Sequence, residues 1–392
     1  MISVSEAKAI LSQNLPEPIV VTSPLDLCLG KVLAADLYSP ISVPLFDNAA
    51  MDGYAFAFAD YEEKKPLKVS HVVQAGAPFL PEVKNGEAAR IFTGAPVPPG
   101  TDTVVMQEIC EIDQGQLKIL SKDIKKGENI RLKGSQTKTG ELIMEKGLQL
   151  NPAMIGFLAG LGLSELPVYK FPNVVVLTSG KELVLPGKPL LPGQIYESNS
   201  YALRATLAEL GITATKWPTV DDEPEKVRLS IKEALVNCDV LLITGGISVG
   251  EYDFVQAALE DLGVEKLFYK VKQKPGKPLY AGKKGDKLVF GLPGNPASTL
   301  TCFYQYVKPS LLQMMGKKPE DPISAALKTT FQKKEGLTQF MKGRLTDGLV
   351  HLLTGQESYK MNSFAVSNCL VELPESDTDL AKGTLVKVHL LQ

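Results

Sequence analysis

The residues best suited to chemistry crowd one stretch of the chain, Asp239 to Asp253. Its apolar run Val240 to Ile243 reads as a buried strand of a parallel sheet. The run stops at Thr244, Gly245 and Gly246, where residues without a Cβ let the backbone turn sharply and lie close to a ligand. Ser248, Gly250, Glu251 and Asp253 follow, then a helical pattern of Phe254, Ala258, Leu259 and Leu262 closed by Gly263. Strand, glycine turn and helix start together make an oxyanion site, with free N–H groups and the positive end of a helix dipole. The plainer alternative is a tight turn needed only for packing. The acids speak against it, because two carboxylates beside an anion site repel a bare phosphate unless a metal ion sits between them.

Polar clusters recur at other expected strand ends. Glu182 follows Val174–Thr178, Asp221 and Asp222 follow Ile212–Trp217, and Pro293, Gly294, Asn295, Pro296 and Ser298 follow Lys287–Phe290. Ligands of doubly wound sheets gather at the carboxyl ends of strands, so four such ends are the strongest chemical signal in the sequence. Lys274 and Lys277 lie on a loop stiffened by Pro275, Gly276 and Pro278, which suits compact cations meeting a phosphate or another oxyanion better than it suits a solvated surface run. Three further stretches stand out. Pro44 to Phe56 crowds Asp47, Asn48 and Asp52 into a short turn, either an Asx turn leading into a strand or a loop presenting Asp52 to a ligand. Phe92 to Gly100 is a loop held by three prolines that offers the hydroxyl of Thr93 and the N–H of Gly94. Gly127 to Gly134 carries Arg131 and Lys133.

Other classes of chemistry are poorly served. The three histidines (His71, His351, His389) are scattered, which disfavours histidine triads and histidine–metal sites. The five cysteines lie far apart without zinc or redox spacing, and no Walker-type glycine–lysine loop is present. With 42 basic and 44 acidic residues spread along the chain, no nucleic-acid or membrane surface is expected. Nothing at the start of the sequence has a signal pattern, and no apolar run approaches the roughly 20 residues of a membrane span. A cytoplasmic protein is expected. By elimination the chemistry rests on carboxylates, lysines, hydroxyls and backbone amides, as in transfer or hydrolysis at a phosphate, phosphoanhydride or similar oxoanion helped by a magnesium-type cation.

The elements that must position these groups fall into blocks. Ser3 and Glu6 form a capping box for a first helix. Short alternating strands at Val69–Val73, Ala88–Phe92, Thr103–Gln107 and Leu117–Leu120 predict a small β-rich domain over 46–136, inserted into an outer stem of 1–45 and 137–171. Residues 172–317 alternate strands and helices, the pattern of a doubly wound α/β domain on a parallel sheet. Ala325–Phe331, Leu349–Leu353, Asn368–Glu372 and Leu385–Leu390 predict a C-terminal β-barrel or sandwich over 318–392, with Arg344 and Ser363 as its candidate ligand contacts.

Five ordered motifs then match a known family. They are Met51 to Ala55 within Pro44–Phe56, Thr93 to Pro96, Thr244 to Asp253, Lys274 to Pro278 and Gly291 to Pro296. Over essentially its whole length the chain resembles the molybdopterin molybdenumtransferases, a family that includes the C-terminal domain of gephyrin. The resemblance implies insertion of molybdate into adenylylated molybdopterin with release of AMP, dependence on magnesium, and an elongated homodimer whose site is shared between subunits. The molybdopterin adenylyltransferase of the preceding step would be a possible partner. Carried over, Asp52 and Thr93 approach the partner's α/β domain, while Glu182, Asp222 and Asp253 bind the cation or orient the pterin. Lys274 and Lys277 hold molybdate or phosphate, with Gly245, Gly246, Ser248, Gly250, Pro293, Gly294, Asn295, Pro296 and Ser298 shaping the pocket. Arg131, Arg344 and Ser363 are further substrate contacts. The chain departs from the family pattern at Gln136, where an acid is usual, and at Lys181, which makes the pocket more basic. The competing readings are the adenylyltransferase itself, which shares the glycine turn but lacks the Met51–Ala55 loop and the extra β domains, and a non-catalytic peptide-binding scaffold.

Overall fold

A computed structural model describes residues 1–62, 66–220, 223–247 and 254–391. The chain divides into two compact units. The first holds residues 1–23, 30–34 and 167–392, and the second residues 24–29 and 35–166.

In the first unit a six-stranded sheet runs in the order Thr215–Lys216, Val174–Thr178, Val240–Thr244, Lys287–Leu292, Tyr280–Lys284, Glu265–Tyr269. The first four strands are parallel. The last two are antiparallel to their neighbours, so the sheet is mixed rather than wholly parallel. The cause is local, because Tyr280–Lys284 connects directly to Lys287–Leu292 by a tight turn, and parallel neighbours would need a crossover. The apolar runs of the central strands follow from burial on both faces. Val174, Val176, Val240, Leu242, Leu288 and Phe290 pack with Leu203, Leu207, Phe303, Tyr306 and Leu311 on one side. On the other, Val175, Leu177, Leu241, Ile243 and Val289 pack with Val227, Ile231, Leu235, Val255 and Leu259. Truncating Leu242, which is fully buried in the first of these layers, to Ala would cost about 2–5 kcal/mol.

The helix Val4–Gln13 begins at the expected capping box, with Ser3 N–H donating to Glu6 Oε2 at 2.7 Å and Glu6 N–H to Ser3 Oγ at 3.2 Å. Its Val4, Ala7 and Leu11 join the first of the two core layers, so this helix packs with the α/β sheet. The C-terminal strands close a five-stranded barrel. Thr338–Thr346 pairs with both Leu349–Leu352 and Cys369–Leu373, and Ile323–Leu327 and Leu385–Leu390 complete the ring.

The second unit is built on a six-stranded sheet in the order Thr103–Met106, Gly53–Phe56, Glu87–Ile91, Leu67–Val73, Gln116–Ile119, Cys110–Asp113. Ala55, Ala89, Ile91 and Val104 line one face, and Phe56, Ala88, Val105 and Leu117 the other. The helix Pro152–Gly160 is capped by Asn151, whose Oδ1 accepts from Met154 N–H at 2.9 Å. Among the described residues, no helix is long and apolar enough to cross a membrane.

Candidate active site

The first unit gathers the predicted turns at the carboxyl ends of its parallel strands. Val240–Thr244 leads into Gly245 and Gly246, both with positive φ (90° and 63°). A Cβ on Gly245 would stand 2.1 Å from Ser179 O, so only glycine allows this turn to press against the neighbouring strand end. Asn199 ties the turn to the next one. Its Nδ2 donates to Thr244 Oγ1 at 2.7 Å and to Gly294 O at 2.8 Å. Pro293 and Ser298 are buried, while Gly294 and Asn295 are exposed to a ligand's reach. Glu182 is half-buried beyond Val174–Thr178, with its carboxylate oxygens 2.9 Å from where a Cβ on residue 180 would lie.

A third element docks from the barrel. Ser358 Oγ accepts from Asn295 Nδ2 at 2.9 Å, and Ser358 O accepts from Ala297 N–H at 3.0 Å. The segment carrying Ser358 is fastened by Lys342, a lysine only 3% exposed, whose Nζ donates to the carbonyls of Gly355 (2.7 Å), Lys360 (3.0 Å) and Glu357 (3.3 Å). Gln356 returns the favour by bonding both the N–H and the C=O of Lys342 at 2.9 Å. Burial lowers the pKa of Lys342, an effect that the Glu357 carboxylate partly opposes. The predicted contact Ser363 is buried and its hydroxyl donates inward to Gly355 O at 2.6 Å, so it too braces this segment. Arg344 is exposed on the barrel strand opposite His351.

Lys274 and Lys277 are both exposed on their loop, which contains the cis peptide Lys274–Pro275. Gln273 and Lys274 pair in parallel with Thr338 and Gln339, fixing one end of the loop to the barrel.

In the second unit the three singled-out loops come together. Ala49 N–H donates to Ala95 O at 3.0 Å and Gly94 N–H to Ala49 O at 2.8 Å, which joins the first two loops. Arg131 pairs with Asn48, and Lys133 N–H donates to Asp47 Oδ1 at 2.7 Å, which joins the third. Asp52 and Thr93 are in direct contact. Asp52 Oδ1 accepts from both the hydroxyl and the amide of Thr93, each at 2.7 Å. The Thr93 hydroxyl, and then its amide, hold the Asp52 carboxyl below the usual aspartate range, with Arg90 adding a smaller coulombic pull. The Arg90 guanidinium lies 4.7 Å from the ring of Phe92 and donates to Gly53 O at 2.8 Å and to Gln107 Oε1. Gln136 is exposed, with its N–H on Val43 O at 2.9 Å.

Family models match along the chain: the MoeA N-terminal region (domain I and II) over residues 2–162, a probable molybdopterin binding domain over 175–313, and the MoeA C-terminal region (domain IV) over 324–391. A molybdopterin molybdenumtransferase of Haemophilus influenzae is 35% identical, with all of both chains covered. Another, from Mycobacterium tuberculosis, is 33% identical over 99% of each. The chain belongs to the molybdopterin molybdenumtransferase family. Its fold agrees, since a molybdopterin biosynthesis MoeA protein of Pyrococcus horikosii superposes with a TM-score of 0.83 at 32% identity, over 100% of this chain and 99% of that one. Membership makes the chain a transferase of molybdenum cofactor biosynthesis, and the matched N-terminal and C-terminal regions set aside the adenylyltransferase reading, which lacks them.

Of the predicted residues, Asp222, Ser248, Gly250 and Asp253 lie outside the described residues, as do Asp221 and Glu251. Among the described residues, no three His, Cys, Asp or Glu side chains gather as a metal site. Sequence reasoning missed Asn199, Lys342, Ser358 and Arg90. Asn199 starts a helix as many asparagines do, and Lys342 looks like a surface charge until the carbonyls around it are known. Only Ser358, in a polar stretch near the noted Ser363, had a neighbour that could have drawn attention to it.

Proposed function

We propose that this molybdenumtransferase takes adenylylated molybdopterin as its substrate, inserts molybdate and releases AMP. The observation that carries this reading is the convergence of the Thr244–Gly246 turn, the Gly291–Pro296 turn and the Ser358 segment, tied through Asn199 and Asn295, in a member of this family. The exposed Gly294 and Asn295, with the half-buried Gly245 and Gly246 beside them, suit the pterin and its phosphates. Lys274 and Lys277 supply compact positive charge for molybdate or phosphate, and the basic Lys181 adds to it. Arg131, Arg344, Gly294 and Asn295 are exposed, Pro296 is half-buried, and all five would be substrate contacts.

Magnesium fits the chemistry of the donor set, since carboxylate oxygens are the ligands a hard divalent cation takes. Glu182, with Asp222 and Asp253, would hold it, and it would neutralise charge on the phosphoanhydride. Gln136, an uncharged acceptor, would be a poorer ligand than the acid usual at its position. Asp52, whose carboxyl pKa Thr93 lowers, would act from a loop of the second unit. In a cytoplasmic homodimer the Asp52 loop of one subunit would meet the α/β domain of its partner, and a separate adenylyltransferase would supply the adenylylated pterin.

The test is AMP release by purified protein given adenylylated molybdopterin, molybdate and magnesium, with Asp52→Asn and Lys274→Ala alongside. Molybdate-dependent release that collapses in both variants is expected. Formation of the adenylylated pterin from ATP, with no release of AMP from it, would contradict the proposal.

A further inference from the structure

Beneath the Lys274–Lys277 loop lies a chain of buried polar side chains with no part in the chemistry above. Gln273 is completely buried. Its Nε2 donates to Pro275 O at 3.2 Å and Gly276 O at 3.1 Å, and its Oε1 accepts from the hydroxyl of Tyr306, which is 1% exposed. The amide orientation is settled by its partners. Flipped, the oxygen would face two carbonyl oxygens and the nitrogen would face a hydroxyl whose proton then had no acceptor. Tyr306 lies in a π-helical turn, Phe303–Val307, set between the α-helical segments Pro296–Cys302 and Lys308–Met314. Such a turn adds one residue and so swings the following side chains by about 100° around the axis, and π turns occur often at functional sites.

The loop above lies flush on this chain. Gly276 has φ of 85°, and a Cβ there would stand 2.5 Å from Cys302 Sγ and 2.9 Å from Gln273 Nε2. The same Cβ would stand 3.6 Å from Ser298 O, so the loop rests on the first turn of the helix that follows the Gly291–Pro296 turn. Burial holds the Tyr306 hydroxyl well above its usual pKa and pushes the Cys302 thiol up to about 12. The hydroxyl therefore remains a proton donor and the thiol remains neutral throughout the physiological range.

We propose that Gln273 and Tyr306 are positioning residues for oxoanion binding: their hydroxyl–amide–carbonyl chain fixes the backbone between Lys274 and Lys277, and with it the spacing of the two ammonium groups. The inference rests on the reading that these lysines hold molybdate or phosphate. Lysine ammonium groups are point charges on flexible stems, so the placement of their backbone is what the fold can control. A π turn in the helix, a glycine required by contact and two carbonyls bonded to one buried amide all act on the same four residues.

The test is Tyr306→Phe in the full chain, which keeps the ring and removes only the proton that Gln273 accepts. Its apparent KM for molybdate is expected to rise about fivefold, the worth of one buried hydrogen bond, with kcat and the KM for adenylylated molybdopterin within about twofold of wild type. Amide exchange across residues 273–278 should quicken. Tyr304→Phe, on the same turn but with its hydroxyl not bonded to Gln273, should match wild type in all of these. A Tyr306→Phe protein with lowered melting temperature but wild-type molybdate KM and wild-type exchange in the loop would overturn the proposal and leave a purely structural role. If the wild-type chain shows no molybdate-dependent turnover, the function proposed above fails, and calorimetric molybdate affinity then decides the positioning role. Weaker binding by Tyr306→Phe would support it, and equal affinities would overturn it.

Discussion

The α/β unit holds its candidate site with buried side chains, whereas the second unit holds its own with backbone. Around the glycine turns, Asn199 clasps Thr244 to Gly294, Lys342 gathers three carbonyls and Gln273 supports the lysine loop. Around Asp52, three loops are stitched mainly by main-chain bonds among Ala49, Gly94, Ala95, Ala50 and Asn129, with Asp47 Oδ1 also accepting from Lys133 N–H, and among the described residues only Thr93 donates to the Asp52 carboxylate. The contrast fits what each side holds. Several charged and neutral groups must be placed together in the first unit, and buried side-chain donors do this by bridging separate turns, with Asn199 Nδ2 bonded on both sides and its Oδ1 without a partner among the described residues. A single carboxylate in the second is ionised at neutral pH in any case and needs only to be held in place, which two donors achieve.

This difference can be broken from either side. The largest effect is expected at the ligand contacts themselves. Lys274→Ala should lower AMP release about 100- to 1,000-fold, as loss of one preorganised charge-stabilising donor does, with little change in melting temperature. Lys342→Met comes next and acts through stability. Three carbonyls lose a charged donor, so unfolding in urea should show a loss of about 3 kcal/mol, with faster amide exchange in Gly355–Lys360. Wild-type stability in that variant would mean that the buried ammonium is not what holds the segment.

Thr93→Val is the smallest and tests the second unit. It removes the hydroxyl that contributes most to lowering the pKa of Asp52 and keeps the weaker amide bond. A depressed carboxyl pKa favours the ionised form, so its contribution is present at neutral pH and is lost as the pH falls through the folded value. Raising that pKa toward the ordinary aspartate range should therefore shift the acid limb of the pH–rate profile to higher pH and leave the rate at neutral pH nearly intact. An unmoved limb would show that Asp52 does not set it.

The same contrast explains what was legible in the sequence. Val174–Thr178 and Leu385–Leu390 are found with the expected ends, because a run buried on both faces and a strict alternation are both local signals. The barrel strand Thr338–Thr346 escaped notice because Lys342 and Gly343 interrupt its apolar alternation, and Lys342 is buried only by virtue of partners more than ten residues away. Of the expected strand Ile212–Trp217, only Thr215–Lys216 pairs, since it lies at the sheet edge with one neighbour. The expected strand Ala325–Phe331 ends at Leu327, and Phe331 pairs instead with Leu380. The contact of Asp52 with Thr93 joins two stretches that local chemistry had already marked, although their sequence separation gave no sign that they meet. Asn199 and Gln273 were invisible because a neutral amide carries no signal until its partners are known.

The most direct test of the account is complementation between the two regions. Asp52→Asn and Lys274→Ala proteins, each inactive alone, are mixed under conditions that exchange subunits, and AMP release is measured. If one site draws on both regions from different subunits of a two-fold dimer, random mixing leaves about a quarter of the sites intact, and activity should return to about that fraction of wild type. No recovery despite proven subunit exchange would contradict a shared site and require Asp52 and Lys274 to act within one chain or in separate steps.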